Sequence, residues 1–326
     1  TGSEPALIPA FAIDHKNVIT STEALNLKTL PKSMLVIGAG VMGCEFATIF
    51  ARFGTSVTVV ELLPAILSTE DKSIVRVVEK SMKAMGVEIH KEVMVDSVEV
   101  VEDGVVKTTL KDGTVFTTEK VLVSIGRSFN SEGIGLDNAG VDVDRGCISV
   151  NDKMETNAKG VYAIGDVTGG MLLAHVASTE AEVAVKNALG KCETMDYSVI
   201  PAGIFTDPEI ASVGIKEKDA KAEGIDINVG RFPYLACGKA LTMGETDGFV
   251  QIITEAGDKG RVLGASIVGA HATDLIGEVA VVMRAGLFAR DIMETVHAHP
   301  TLPEMVLEAA EDTAGVAVHK VGRRRK

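Results

Sequence analysis

The chain has 326 residues, 46% hydrophobic and 24% charged, enough for two or three domains with substantial cores. Lys and Arg number 32 against 45 Asp and Glu, and the net charge of −13 argues against a nucleic-acid or anionic-membrane partner. No run of 18 or more apolar residues occurs, so no membrane span is expected, and Cys44, Cys147, Cys192 and Cys237 are scattered without a CxxC, the pattern of a reducing compartment.

The chain opens on Thr1-Gly2-Ser3-Glu4-Pro5 without an initiator Met, so the natural N-terminus is not expected here. Met34 to Ile37 is a continuous apolar run, suited to a parallel strand buried on both faces. It leads into Gly38-Ala39-Gly40-Val41-Met42-Gly43, then a helix from Cys44 to Phe53 stopped by Gly54, then a strand from Val57 to Val60 with Glu61 at its end. This order is the dinucleotide-binding pattern. Gly38 permits the tight turn, Gly40 lets backbone approach a pyrophosphate, and Gly43 lets the helix pack close to the strand. Glu61 falls 18 residues after Gly43, where a carboxylate can accept both ribose hydroxyls. Leu62 and Leu63 follow it, with no basic residue to neutralise a 2′-phosphate, so NAD is expected over NADP.

Ser68 or Thr69 is expected to cap a helix whose apolar face carries Ile74, Val77, Val78, Met82 and Met85, ended by Gly86. After a strand at Val87 to Ile89, the runs Val93 to Val101, Val105 to Leu110 and Thr114 to Thr118 are joined by Asp103-Gly104 and Asp112-Gly113. Asp-Gly between alternating runs predicts hairpins, so a β-meander stands where a helical crossover is usual. Val121 to Ile125 returns to the sheet and ends at Gly126-Arg127. A short strand is expected at Val161 to Ile164, with Asp166 of Gly165-Asp166 at its carboxyl end, although by itself this pair is an ordinary turn. Leu172-Leu173-Ala174-His175 opens a helix to about Leu189.

Beyond Ile200 strands at Phe249 to Ile253 and Val262 to Val268 alternate with helices at Asp274 to Ala285, Ala289 to Val296 and Leu302 to Ala310. This reads as an α+β unit with one sheet face free for self-association. The tail Arg323-Arg324-Arg325-Lys326 reads as a solvated end. Just before the last helix, His297-Ala298-His299-Pro300-Thr301-Leu302-Pro303-Glu304 puts two imidazoles and a carboxylate within eight positions. A proline-locked bend can hold His299 against Glu304. A carboxylate that takes the proton of one ring nitrogen leaves the other free as a base. A surface cluster without a role competes with that reading. His297, His299 and Glu304 do not have a usual zinc spacing, so no metal is expected.

Together these segments, with Thr206-Asp207-Pro208-Glu209, resemble the FAD- and NAD-dependent pyridine nucleotide–disulfide oxidoreductases along essentially the whole chain. Within them the octet resembles the dihydrolipoyl dehydrogenase branch. The resemblance implies NAD bound by Gly38, Gly40, Gly43 and Glu61, and it makes Gly126 a further cofactor-binding residue. It implies FAD bound by Gly165, Asp166 and the backbone of Leu172, Leu173, Ala174 and His175. Glu45 would lie near flavin and nicotinamide, paired with a lysine. His299 would be the base, oriented by Glu304, acting across the boundary of a homodimer. The implied fold is α/β: a Rossmann-type NAD-binding domain at 1–122, the remainder of an FAD-binding domain at 123–197, and an α+β dimerisation domain at 198–326. Implied partners are the lipoyl domains of a 2-oxoacid dehydrogenase or glycine cleavage complex, in bacterial cytoplasm or in the matrix of a mitochondrion.

The family's own first FAD-binding βαβ unit and its CxxxxC redox pair have no counterpart in these residues. The chain is therefore expected to be an N-terminally shortened piece, inactive alone. The alternatives are a module that binds NAD and dimerises without turnover, and another FAD/NAD(P) disulfide reductase.

Overall fold

Two continuous apolar runs become adjacent strands, Ser33–Ile37 and Ser56–Val60, of a five-stranded parallel sheet. The computed structural model describes residues 1–257 and 260–320, and the basic tail Arg323–Lys326 lies outside the described residues. The sheet order is Val18–Ile19, Lys120–Val123, Ser33–Ile37, Ser56–Val60, Glu88–His90. Successive side chains go to opposite faces. Met34, Val36, Val57 and Val59 meet Phe46, Phe50, Ile74, Val78 and Met82 from the helices Val41–Arg52 and Lys72–Ala84. Leu35, Ile37, Val60, Val121 and Val123 meet Val98, Val106 and Leu110 of a three-stranded meander, Val95–Glu102, Val105–Leu110, Val115–Thr118. Burial on both faces is why these strands do not alternate apolar with polar.

The helix after the glycines starts at Val41, ahead of the expected Cys44, because Gly40 is already its extended N-cap. A Cβ on Gly43 would sit 2.0 Å from the Gly38 carbonyl oxygen, and one on Gly38 would sit 2.2 Å from that of Ser124. Only glycine fits either position.

Three expectations need correction. Val161 to Ile164 is not a strand: Tyr162 makes a single antiparallel bridge to Glu155, since no parallel strand lies beside it among the described residues. Neither Ser68 nor Thr69 caps the Lys72–Ala84 helix. Its N-cap is Asp71, whose carboxylate instead accepts the backbone N–H groups of Glu217 (3.1 Å) and Lys218 (3.0 Å) and the amide of Gln251 (3.3 Å). Ser68 and Thr69 give their carbonyls to the ammonium groups of Lys218 and Lys216, both at 2.9 Å.

The third correction concerns the second sheet, which is antiparallel in the order Ala202–Ile204, Ile210–Gly214, Val262–Val268, Phe249–Glu255, Ile227–Pro233. Its Val213, Val250, Ile252, Ala265 and Ile267 pack under the helices Ala272–Arg284, Ala289–Glu294 and Glu304–Ala314. The opposite face is not free. Ile204, Ile210 and Val268 join the same core as Ile74 and Val75 of the Lys72–Ala84 helix. The run Ile210-Ala211-Ser212-Val213 is buried on both sides, in keeping with its lack of apolar–polar alternation.

Asp71 sits at this junction, 4% exposed. Asp71→Ala removes one acceptor from three donors and is expected to destabilise the protein by about 1–3 kcal/mol. Ser68→Ala and Thr69→Ala should stay within about 0.5 kcal/mol, as at ordinary surface positions. Urea unfolding of the three variants checks the assignment, and equal losses would overturn it.

Candidate functional site

The carboxyl ends of three neighbouring parallel strands, at Ile37, Val60 and Val123, open onto one cleft of about 580 Å³. This is where open α/β sheets bind ligands. Gly38, Gly40, Glu61 and Gly126 line it, with Leu62, Leu63, Val93 and Met94 as apolar wall. Space around Gly40 is open: a Cβ built there meets nothing within 4 Å, and the same holds at Gly126, whose φ is +126°. Both leave backbone bare for close approach by a ligand.

Glu61 is 9% exposed and doubly anchored. Its Oε2 accepts the Ala39 N–H at 2.6 Å and its Oε1 accepts the Leu63 N–H at 2.7 Å. Each oxygen has a second lone-pair direction, enough for two vicinal hydroxyls. Arg127 is the only Arg or Lys lining the cleft, and its guanidinium is engaged with Ser3 and Asp166. A 2′-phosphate would therefore face Glu61 without compensation. The cleft fits NAD.

Glu45, half-buried in the first turns of the Val41–Arg52 helix, accepts the Phe205 N–H at 2.8 Å. Burial pushes its carboxyl above the ordinary value, and the Phe205 bond only partly opposes this. Among the described residues no Lys, Arg or His nitrogen lies within 4 Å of it, so its charge has no cationic partner here. Burial, with the Glu61 and Glu45 carboxylates, pushes the Cys44 thiol up to about 12. Cys44 is a packing residue, not a thiolate.

Gly165-Asp166 starts a 3-10 turn, Gly165–Thr168. The Asp166 carboxylate accepts the Ser3 hydroxyl and lies 3.6 Å from Arg127 Nε. Ser3 arrives there because Ser3–Pro5 pairs antiparallel with Arg127–Phe129. Leu172 and Leu173 lead into the helix Ala174–Ala188, with Leu173 as N-cap. The first N–H groups of such a helix have no intrahelical acceptor. Leu172, Ala174 and His175 are exposed, and His175 Nε2 donates to the Pro201 carbonyl at 2.8 Å. A carboxylate beside an open helix start suits one part of a flavin dinucleotide.

In the octet, His299 Nδ1 lies 2.9 Å from Glu304 Oε1, and Glu304 Oε2 accepts the Thr301 N–H at 2.8 Å. The His299-Pro300 peptide is cis. A carboxylate only accepts, so a neutral His299 ring carries its hydrogen on Nδ1 and leaves Nε2 free. Burial works against the Glu304 charge, but the Thr301 N–H and His299 outweigh it and hold the carboxyl below its ordinary value. The His299 side chain is 78% exposed. That of His297 is 6% exposed, held between Glu278 at 2.9 Å and the Thr295 carbonyl at 2.9 Å. Gly230 lets the Glu304–Ala314 helix lie on its strand: a Cβ there would be 2.1 Å from the Ala309 oxygen.

The structure thus gathers Gly38, Gly40, Glu61 and Gly126 at one cleft, and Gly165 and Asp166 beside Ser3. It does not bring His299 or Glu304 into the Glu61 cleft. Sequence reasoning missed Glu278, Arg127 and Glu180. Glu180 was findable as an acid on the buried stripe Val176, Glu180, Val183, Ala184. Glu278 carried no signal.

Glu61→Ala is expected to weaken NAD binding by roughly 1.5–3 kcal/mol, the range for hydrogen bonds to charged groups. Gly40→Ala should weaken it too, while costing folding stability no more than about 1 kcal/mol, since Ala is a poorer N-cap than Gly but the new Cβ enters open space. Calorimetric titration beside thermal unfolding separates the two effects. Unchanged NAD affinity in both variants would refute the cleft assignment.

Residues 1–181 match the family described as pyridine nucleotide-disulphide oxidoreductase, and residues 200–310 match its dimerisation domain. A dihydrolipoyl dehydrogenase of Staphylococcus aureus is 44% identical over 322 residues, 98% of this chain and 68% of that protein. One from Halobacterium salinarum is 42% identical over 327 residues, 99% of this chain and 69% of that protein. Among solved structures, LpdA from Mycobacterium tuberculosis superposes with a TM-score of 0.90 at 31% identity, covering 95% of this chain and 68% of that one. The HOCl-induced flavoprotein disulfide reductase RclA from Escherichia coli does so with a TM-score of 0.89 at 30% identity, covering 95% and 72%. The two family matches take in both five-stranded sheets, and the chain belongs to the pyridine nucleotide-disulphide oxidoreductase family.

Proposed function

We propose that these residues form the NAD-binding, interface and acid–base parts of a dihydrolipoyl dehydrogenase, which oxidises protein-bound dihydrolipoamide with FAD and reduces NAD. The observation that carries the reading is the His299–Glu304 pair, fixed by Thr301 and presenting an exposed Nε2. Fold likeness does not choose between substrates, since LpdA and RclA superpose almost equally well. The octet and the identity of 41–44% to dihydrolipoyl dehydrogenases favour the dithiol of lipoamide.

In this reading FAD, when bound, would supply the two-electron redox chemistry that links a dithiol, through the family's redox cysteine pair, to NAD. The chain's own share is to bind, orient and move a proton. Gly38, Gly40 and Gly126 would seat NAD against bare backbone and Glu61 would take the ribose, while Gly43, expected as a ligand contact, is buried against Gly38 outside the cleft and shapes the turn instead. Gly165, Asp166 and the backbone N–H groups of Leu172 to His175 are the residues that would hold a flavin dinucleotide. Glu45 supplies a carboxylate at the nicotinamide end that calls for a cation. His299 Nε2 accepts a proton from a dihydrolipoyl thiol, and the ionised Glu304 stabilises the imidazolium that results. Because Glu304 is held below its ordinary value, the clamp is complete at neutral pH and loosens only as pH falls through the carboxylate range.

His299 is exposed and does not line its own chain's Glu61 cleft, and the match to a dimerisation domain supports a homodimer in which it serves the partner's site. The partners follow from the substrate: lipoyl domains of a 2-oxoacid dehydrogenase or glycine cleavage complex. Four free cysteines suit a reducing compartment such as the bacterial cytoplasm. No described helix is long and apolar enough to cross a membrane.

In the full-length enzyme, His299→Ala is expected to slow dithiol oxidation by about 10²–10⁴, the usual worth of a positioned general base. Glu304→Gln should cost less, since an amide oxygen still orients the ring. His297→Ala should lower stability more than His299→Ala does, because it leaves Glu278 without its buried partner, yet lower the rate less. Stopped-flow reduction and thermal unfolding of the three variants check this, and a larger rate loss for His297→Ala would reverse the assigned roles. Residues 1–326 alone should bind NAD but show no lipoamide-dependent NAD reduction, as no two of the four cysteines can act as a CxxxxC pair.

A further inference from the structure

We infer that Glu180 is the positioning residue that holds the Gly165-Asp166 turn in the shape needed to grip FAD; this rests on the flavin reading given above.

Glu180 is 2% exposed, on a helix face shared with Val176, Val183 and Ala184 and packed near Met154 and Met195. A carboxylate in such a place is costly unless each oxygen is hydrogen-bonded. Here each is, and to a different segment. Oε2 accepts the Gly165 N–H at 2.7 Å, and Oε1 accepts the Tyr197 hydroxyl at 2.6 Å. Gly165 has a φ of +70°, and a Cβ on it would press to 3.2 Å from that of Ala177, one turn before Glu180. The turn therefore rests directly on the helix that Leu172 to His175 open. Burial and Glu180 both raise the Tyr197 hydroxyl above its ordinary value, so it stays a donor.

Three segments thus meet at one side chain: the acidic turn, the helix and the stretch leading into the second sheet. Asp166 follows Gly165 directly, so the orientation of its carboxylate depends on where the Gly165 N–H is held. Glu180 itself is shut off from solvent, with both carboxylate oxygens taken by Gly165 and Tyr197. Its effect on the cofactor is exerted through Gly165.

The test uses the full-length homodimer with Glu180→Ala, Glu180→Gln, Tyr197→Phe and Asp166→Ala. Flavin fluorescence on release reads FAD affinity, calorimetry reads NAD affinity at the Glu61 cleft, and hydrogen exchange in the apoprotein reads the Gly165 amide. Glu180→Ala is expected to speed Gly165 exchange and weaken FAD by about tenfold or more, with NAD affinity unchanged. Glu180→Gln should recover most of both, because its amide oxygen still accepts from Gly165 and its amide N–H can donate to the Tyr197 oxygen. Tyr197→Phe should fall between the two, and it keeps the test open if Glu180→Ala does not fold. Wild-type FAD affinity in Glu180→Ala, or parallel loss of FAD and NAD affinity, would overturn the proposal. Wild-type FAD affinity in Asp166→Ala would instead overturn the flavin reading of the turn.

Discussion

Buried and half-buried carboxylates that accept main-chain N–H groups hold this molecule's turns and junctions together. Glu61 binds the N–H groups of Ala39 and Leu63, Asp71 those of Glu217 and Lys218, Glu180 that of Gly165 and Glu304 that of Thr301. Glu45 does the same for Phe205, and Glu308 for Val318 and His319. A charge-assisted bond to backbone is about twice as strong as a neutral one and fixes the chain rather than a mobile side chain. Part of the acidic excess is therefore structural: these acids are committed to backbone amides of their own chain.

The arrangement also joins the two sheets. The Lys72–Ala84 helix has one broad apolar stripe, and its buried residues share a single core with the parallel sheet and with Ile204, Ile210 and Val268 of the antiparallel sheet. Asp71 at its start binds the beginning of the Glu217–Ala222 helix, and Lys216 pairs with the buried Glu70 at 2.7 Å. Breaking one of these bonds leaves a buried group unpaired, which costs more than the bond itself contributes. The Glu61 cleft and the His299–Glu304 pair thus ride on units locked to each other, though they point to different places.

The strand–glycine–helix–strand–acid unit was legible because every part of it is local. Glycine spacing, two apolar runs and one acid lie within 28 residues, from Met34 to Glu61, and the turn admits no other residue at Gly38 or Gly43. The octet was legible for the same reason, since His299 and Glu304 are five positions apart across a cis proline. Less was legible where the partner is remote. The short run Val161 to Ile164 has strand composition, but a strand requires a neighbour, and only Glu155 bridges it. Asp71 looked subordinate to Ser68 and Thr69 as a cap, because the groups it binds lie 146 to 180 positions away.

What the sequence by itself determined is therefore what neighbours along the chain decide: the nucleotide turn, the meander with its Asp-Gly hairpins, and the imidazole–carboxylate clamp. The tertiary structure decided which buried acids face which amides, that His297 lies against Glu278 while His299 stays exposed, and that the second sheet is covered on both faces. The physical reason is that a hydrogen-bond acceptor or an apolar face carries no address in sequence. Its partner is set only when distant segments are packed together and each buried polar group must find a donor.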